Sequence, residues 1–176
     1  MHRPAPLRHL SRLLALGVVG VAGYLLTACS SVPPYTSSSA APAAANEVVA
    51  RLTPEQATEV TLYAISLVGT PYRFGGNTPD SGFDCSGLIA YVYRTHASLH
   101  APRTVQALND WGTALPAHQL RSGDLVLFSG NGVATHAGIY VGEGRFVHAP
   151  STGGEVRLDS LQSSYWSRLP ASFRRP

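Results

Sequence analysis

The chain contains no lysine, and charged residues make up only 13% of its 176 residues. Its formal net charge of +3 comes from the three arginines among the first twelve residues, because ten arginines and ten acidic residues remain when these are set aside. The rest of the chain is therefore neutral and has no basic cluster. Such a chain has nothing to hold a phosphate backbone, so the sequence predicts no nucleic-acid partner.

Cysteine is also scarce, with only Cys29 and Cys85 present. Cys29 follows an arginine-bearing start and an apolar run from Leu13 to Leu26, whose fourteen residues are too few for a comfortable membrane span. The run ends in Leu26-Thr27-Ala28-Cys29, which resembles the bacterial lipobox, where the cysteine is lipidated and becomes the first residue after cleavage. The alternative is an ordinary secretory signal with a chance cysteine.

The lipobox predicts three segments: a signal peptide at 1–28, a lipidated Cys29 with a tether to residue 50, and a folded domain at 51–176. Ser30 after the cysteine is compatible with export to the outer membrane of a Gram-negative bacterium, on its periplasmic side. The tether is rich in serine, proline and alanine without an amphipathic period, a composition that favours disorder. With Cys29 lipidated, Cys85 has no disulfide partner, and an unpaired thiol in an oxidising compartment is a liability unless it is used.

Helical patterns precede strand patterns in the folded domain. Thr53-Pro54-Glu55-Gln56 predicts an N-cap with a capping box, opening a helix that ends near Val68. Further helices are predicted from Cys85 to Thr95 and from Pro102 through Trp111. Strands are predicted at 124–128, 136–141, 145–149 and 155–158, with an edge strand near 167–173. Helices packed on an antiparallel sheet make the domain α+β.

Cys85 lies where a glycine-rich loop meets the second predicted helix. The first N–H groups of a helix have no partner within it, and together with the helix dipole they favour thiolate over thiol. The pattern predicts a nucleophile whose pKa lies well below the ordinary value of about 8.5. The alternative is that Cys85 is a small buried apolar residue.

His136 and His148 lie on the two arms of a predicted hairpin that turns at Gly142-Glu143-Gly144. The short turn places them nearly opposite each other, at cross-strand contact distance. With a helix-terminal cysteine upstream, they fit an arrangement of nucleophile, base and orienting group. His136 would take the thiol proton, and His148 would hold the His136 ring in its tautomer.

Several motifs in order resemble one family, the NlpC-type cell-wall cysteine peptidases, and in particular its single-domain lipoproteins. These motifs are Tyr72…Gly75-Gly76, Asp84-Cys85-Ser86-Gly87, Gly123-Asp124-Leu125-Val126, His136-Ala137-Gly138 and His148-Ala149. The resemblance implies a papain-like core and hydrolysis of stem-peptide or cross-link amides of peptidoglycan at diaminopimelate. It implies Cys85 as nucleophile, His136 as base and His148 as third polar residue, with no cofactor or metal. It leaves open whether the bond follows D-γ-glutamate or D-alanine.

Substrate contacts are predicted from the neighbours of the thiol. The backbone N–H of Cys85 is the natural first donor to an oxyanion, and the Tyr72 hydroxyl is a candidate second donor. Tyr72 could equally be a half-buried loop aromatic. Ser86 would either face the cleft or satisfy N–H groups at the helix start. Arg103 or Arg73 would pair a stem carboxylate, although most arginines are solvated surface charges.

Two rival functions use the same residues differently. In one, Cys85, His136 and His148 are three zinc ligands with water as the fourth, although the close ligand pairs common in zinc sites are missing. In the other, the protein is a non-catalytic lipoprotein that binds or organises the cell wall. The expected peptidase is a monomer whose partners are stem peptides and, through Cys29, a membrane.

Overall fold

A computed structural model of the chain describes residues 50–151 and 154–176. The predicted signal peptide, the lipidation site Cys29 and nearly all of the tether lie outside the described residues. Among the helices of the described part, none is long and apolar enough to cross a membrane.

Three helices form the first half of the domain. Helix α1 spans Pro54–Ser66, and its predicted capping box is confirmed, with the Gln56 N–H donating to Thr53 Oγ1 at 3.2 Å and the Thr53 N–H donating to Gln56 Oε1 at 3.0 Å. Helix α2 spans Cys85–Ala97, and α3 spans only Val105–Asn109. Helix α3 is shorter than predicted because Gly112, at φ +86°, turns the chain into a strand that the sequence pattern did not reveal.

The described residues contain eight strands, three more than predicted, and the predicted α+β class is confirmed. Strands β1 (Asn77–Thr78) and β2 (Gly82–Phe83) pair as a small hairpin before α2. The other six are β3 (Thr113–Leu115), β4 (Leu125–Gly130), β5 (Val133–Gly142), β6 (Arg145–His148), β7 (Arg157–Ser160) and β8 (Ala171–Arg175). They form one antiparallel sheet in the order β3-β8-β4-β5-β6-β7.

The prediction that the last strand lies at an edge is wrong. Strand β8 lies between β3 and β4, and the two edge strands are β3 and β7. Arg175 explains the inner position, because its guanidinium is buried and makes a bidentate pair with Asp124, with both N–O distances 2.9 Å. An arginine pair at 174–175 looks solvent-facing in the sequence, so the buried partner could not be anticipated.

The sheet carries apolar residues on both faces. Leu125 and Leu127 belong to the larger cluster, which the helices cover, and all three helices contact β5. Alternate residues of β4 point the other way, so Val126 and Phe128 join Phe146 and Trp166 in a smaller cluster. Strand β5 is therefore fixed between the helices and the second cluster, and it carries the first of the two predicted catalytic histidines.

Candidate active site

Asp84 caps the start of α2, directly before Cys85. Its Oδ1 accepts the Gly87 N–H at 2.6 Å and the Ser86 hydroxyl at 2.9 Å. Its Oδ2 accepts the Gly75 N–H at 2.9 Å and lies 3.5 Å from Arg103 Nη2. One carboxylate thus caps the helix and ties it to the glycine turn before it, which fixes where Cys85 stands.

Gly87 is required by the closeness of that turn. A Cβ at this position would overlap the Gly76 carbonyl oxygen and stand 2.6 Å from Arg103 Nη1. Only a residue without a side chain lets the backbone of the loop approach the first turn of α2 so closely. The Asp-Cys-Ser-Gly motif therefore describes a packed junction as well as a nucleophile.

The Cys85 thiol is half-buried, and its pKa is raised rather than lowered. Burial is the largest cause and the nearby Asp84 carboxylate the second, while the N–H groups of Ala137, Ser86 and Cys85 act in the opposite direction with smaller effect. The prediction of a depressed thiol pKa is therefore wrong for the resting site. The prediction included the effect of the helix-start N–H groups on the thiol pKa but not the effect of burial or of the negative charge on the capping residue Asp84.

The two histidines meet, although not in the predicted register. Ile139 pairs with Val147, and the same register sets His148 opposite Gly138, two residues from His136. A Cβ on Gly138 would stand only 3.1 Å from the Cβ of His148. Glycine at position 138 therefore leaves room for the His148 side chain. The His148 ring reaches diagonally, and its Nδ1 lies 2.9 Å from Nε2 of His136. The predicted contact is confirmed.

Burial keeps both rings uncharged. His148 has no exposed surface, and Trp166 stacks on His136 with ring centroids 5.3 Å apart. Burial, followed by the neighbouring His148, lowers the pKa of His136 to about 3. Burial also lowers the pKa of His148 to about 4, against the opposing effect of Asp159. At neutral pH the site therefore holds two neutral imidazoles. Among the described residues, Nδ1 of His136 has no hydrogen-bond partner.

The thiol lies close to β5, the strand that carries His136. The Ala137 N–H near the sulfur belongs to the residue that follows His136. Among the described residues, however, no hydrogen bond joins the thiol to either histidine ring. A neutral thiol and a neutral imidazole have no charge attraction to draw them together, and catalytic contacts of this kind commonly tighten only when substrate binds.

Asp159 on β7 is a site residue that the sequence analysis missed. Its Oδ2 lies 3.1 Å from His148 Nε2, although the ring N–H is poorly aligned with it. Its Oδ1 accepts the Arg157 Nε–H at 2.8 Å, and its Oδ2 accepts the Trp166 Nε1–H at 2.7 Å. The missing signal was the pairing of β6 with β7, which brings Asp159 to the same face as His148.

The predicted substrate-binding residues have different outcomes. Ser86 is buried, and its hydroxyl bonds to Asp84 Oδ1 and, at 2.8 Å, to the Arg103 carbonyl, so the expectation of a substrate contact is replaced by a structural role. Arg103 is partly exposed beside Asp84. Tyr72 is half-buried near the thiol. Its burial, followed by the charges of Cys85 and Asp84, raises its pKa. Its predicted contact with an oxyanion stays a prediction.

An open cleft of about 600 Å³ borders the two histidines. Both histidine rings line it, together with Asp159, Ser163, Tyr165 and Trp166.

The geometry does not support the zinc alternative. Within 50–151 and 154–176, no group of three or more His, Cys, Asp or Glu side chains is placed to hold a metal ion. The facing nitrogens of His136 and His148 are instead hydrogen-bonded to each other.

Comparisons with known proteins show which proteins this chain is similar to. The family model described as the NlpC/P60 family matches residues 69–175. Murein DD-endopeptidase MepH from Escherichia coli K12 is 40% identical over 126 residues, covering 69% of this chain and 46% of that protein. Gamma-DL-glutamyl hydrolase from Bacillus subtilis 168 is 40% identical over 116 residues, covering 64% of this chain and 28% of that protein. The chain thus spans less than half the length of either relative.

Among solved structures, the NlpC/p60 domain of peptidoglycan hydrolase SagA superposes with a TM-score of 0.59 and 31% sequence identity. The match covers 66% of this chain and 96% of that domain.

Proposed function

Because this chain belongs to the NlpC/P60 family, we propose that it is a cysteine-type endopeptidase that cleaves murein stem-peptide or cross-link amides at diaminopimelate. The observation that supports this most is the buried pair of His136 and His148 beside a thiol at the start of α2. A nucleophile, a base and a group that orients the base are the parts that acyl transfer needs.

The reaction starts from a thiol and a neutral imidazole. Cys85 Sγ attacks the amide carbonyl carbon while Nδ1 of His136 takes the thiol proton, and the carbonyl electrons move onto oxygen. The backbone N–H of Cys85 and the Tyr72 hydroxyl donate to that oxyanion. The intermediate collapses to a thioester, and the amine leaves with the proton from His136. Water, deprotonated by His136, then releases the carboxylate product and the free thiol.

Both candidate bonds fit this chemistry. The name of the Escherichia coli relative specifies a DD-endopeptidase and that of the Bacillus subtilis relative a gamma-DL-glutamyl hydrolase. The two candidate bonds for this chain are the D-alanyl–diaminopimelate cross-link and the D-γ-glutamyl–diaminopimelate stem bond. Either bond presents an amide carbonyl next to a D-centre, so the same residues would serve both.

The proposal includes the place of action. The Leu26-Thr27-Ala28-Cys29 motif supports lipidation at Cys29 and an anchor in the outer membrane, facing the periplasm. Residues 29–50 would then let a monomeric domain reach the wall from the membrane surface.

Digestion of purified sacculi tests the activity. Full-length protein in detergent should release fragments whose masses identify the cut bond, and Cys85→Ala should fold to the same melting temperature and release none. Iodoacetamide should stop the reaction at one equivalent, whereas a chelator should leave it unchanged.

The rival functions predict different results. Inactivation by the chelator would favour a metal hydrolase. Wild-type protein that binds sacculi but releases nothing would favour a non-catalytic wall-binding protein, and a Cys85→Ala variant with full activity would exclude the thiol mechanism.

A further inference from the structure

We infer that Asp159 is a positioning residue of the reaction, which acts through His148 to select the ring tautomer that leaves Nδ1 of His136 free to accept the thiol proton. This inference rests on the proposed function for its catalytic meaning. Its structural content, the protonation pattern of two rings, can be measured without any substrate.

The geometry leaves two proton arrangements for the histidine pair, and Asp159 favours one. A hydrogen bond between His136 Nε2 and His148 Nδ1, 2.9 Å apart, can carry its proton on either nitrogen. A carboxylate only accepts, so its place 3.1 Å from His148 Nε2 favours a proton on that nitrogen. A neutral ring has one proton, so His148 Nδ1 then accepts from His136 Nε2 and leaves His136 Nδ1 with its lone pair.

The opposite arrangement would disable the base. If His148 carried its proton on Nδ1, it would donate to His136 Nε2, and the neutral His136 ring would then be protonated on Nδ1. That nitrogen could not accept the proton of Cys85. Asp159 therefore matters although it reaches His136 only through His148.

Arg157 and Trp166 keep Asp159 an acceptor. The Arg157 Nε–H and the Trp166 Nε1–H bind its two oxygens at 2.8 Å and 2.7 Å. Burial by itself would raise the pKa of Asp159, but these hydrogen bonds and the nearby His148 hold it below the ordinary carboxyl value. Asp159 thus stays ionised at neutral pH and has no proton to donate to His148.

The negative charge of Asp159 also stabilises the site after the thiol proton has moved to His136. His136 is then an imidazolium in a buried cluster, and the Asp159 carboxylate raises the proton affinity of both rings, whereas Arg157 lowers that of His148. Among the described residues, the charged groups that act on the pair are Asp159 and Arg157. No proton travels along the chain of contacts, because the thiol proton stops on His136 Nδ1.

Side-chain nitrogen spectra of the full-length protein test the inference. In ¹⁵N-labelled protein in detergent at pH 7, His136 and His148 should both show protonated Nε2 and unprotonated Nδ1, with assignment through His136→Gln and His148→Gln. Asp159→Asn retains an amide oxygen as acceptor and should keep this pattern. Asp159→Leu removes the acceptor and should give mixed tautomers with a kcat lower by roughly 10- to 100-fold. Asp110→Asn, an exposed carboxylate away from the site, is the matched control and should change neither.

The results separate this inference from the proposed function. A wild-type spectrum with either ring protonated on Nδ1 overturns the inference, and this measurement needs no variant to fold. An unchanged pattern and kcat in Asp159→Leu also overturns it. If the wild-type pattern is as expected and is lost in Asp159→Leu, but sacculi are not cleaved, the tautomer role stands and the peptidase proposal fails.

Discussion

Nε2 of His136 and Nδ1 of His148 lie 2.9 Å apart, in rings held nearly perpendicular at an interplanar angle of 87°. The contact assigns unequal roles to the two residues. His136 lies on β5, the strand next to the thiol, and its Nδ1 has no hydrogen-bond partner among the described residues. The two ring nitrogens of His148 instead lie next to His136 and Asp159. One ring can therefore exchange protons with a reacting group, and the other can only orient it.

Substitution of the two histidines should separate these roles. His136→Ala should lower kcat by about 10²- to 10⁴-fold, since a methyl group cannot replace a general base. His148→Asn should retain part of the activity, because an amide can still accept from His136 Nε2. Steady-state cleavage of a purified muropeptide measures both. Equal and mild losses would mean that the roles are assigned wrongly.

Alkylation of Cys85 should accelerate with alkaline pH. Because burial and Asp84 raise the thiol pKa, little thiolate is present at neutral pH, and reaction with iodoacetamide depends on the thiolate. The rate should rise through an apparent pKa above that of free cysteine, and Asp84→Asn should shift the curve to lower pH. A rate that is already constant below pH 7 would instead reveal a preformed thiolate–imidazolium pair.

Stability should fall with acidity because of the buried histidines. Their folded pKa values of about 3 and about 4 lie below the unperturbed value of 6.5. Between pH 6.5 and about 4 the unfolded chain therefore binds more protons than the folded protein, so the free energy of unfolding decreases as pH falls through this window. Asp159, whose folded pKa lies below 3.8, loses its contribution only at lower pH.

Urea unfolding at pH 7.5 and pH 5 measures this dependence. His148→Gln should reduce the difference between the two pH values, and His118→Gln, at an exposed position, should leave it as in the wild type. An unreduced difference in His148→Gln would contradict the neutral buried ring.

Gly87→Ala should damage the site through the loop beside it. The added Cβ would overlap the Gly76 carbonyl and press on Arg103, so the start of α2 must shift. We expect a lower melting temperature together with a large loss of cleavage. Gly130→Ala is the matched control, because its Cβ would have no neighbour closer than 3.8 Å. Similar behaviour of the two variants would argue against a tight junction at Gly87.

Cys29→Ser tests the anchor predicted from the sequence. Without the lipid-bearing thiol, the protein should leave the outer-membrane fraction and become soluble in the periplasm. Cys85→Ser should still fractionate with the membrane while losing activity. A Cys29→Ser protein that still pellets with outer membranes would exclude the lipoprotein proposal.

Local signals in the sequence predicted much of this fold. The capping residues of α1 mark its start without any long-range contact, and the turn at Gly142-Glu143-Gly144 marks the hairpin that carries the histidines. The nucleophile could be found for the same reason, since Asp84-Cys85-Ser86-Gly87 is a contiguous helix start. Each of these features is determined within about ten residues of chain.

Features that depend on distant pairing could not be predicted. Asp159 becomes a neighbour of His148 only through the register of β6 with β7. The raised thiol pKa has a similar origin, because it depends on the burial of Cys85 beneath other elements and on the direction of the Asp84 carboxylate. Sequence spacing shows which residues share a face, but it does not give the depth at which they lie.

The inner position of β8 has a consequence for when the protein can mature. Until β8 is in place, β4 has no partner on one side and β3 has none at all. An unpaired strand edge with apolar residues on both faces invites incorrect pairing and holds the sheet open. The buried Arg175–Asp124 pair forms only when this last strand inserts. The six-stranded sheet that carries β5 is thus completed only when the last strand has inserted, so the final steps of folding depend on the C-terminal end of the domain.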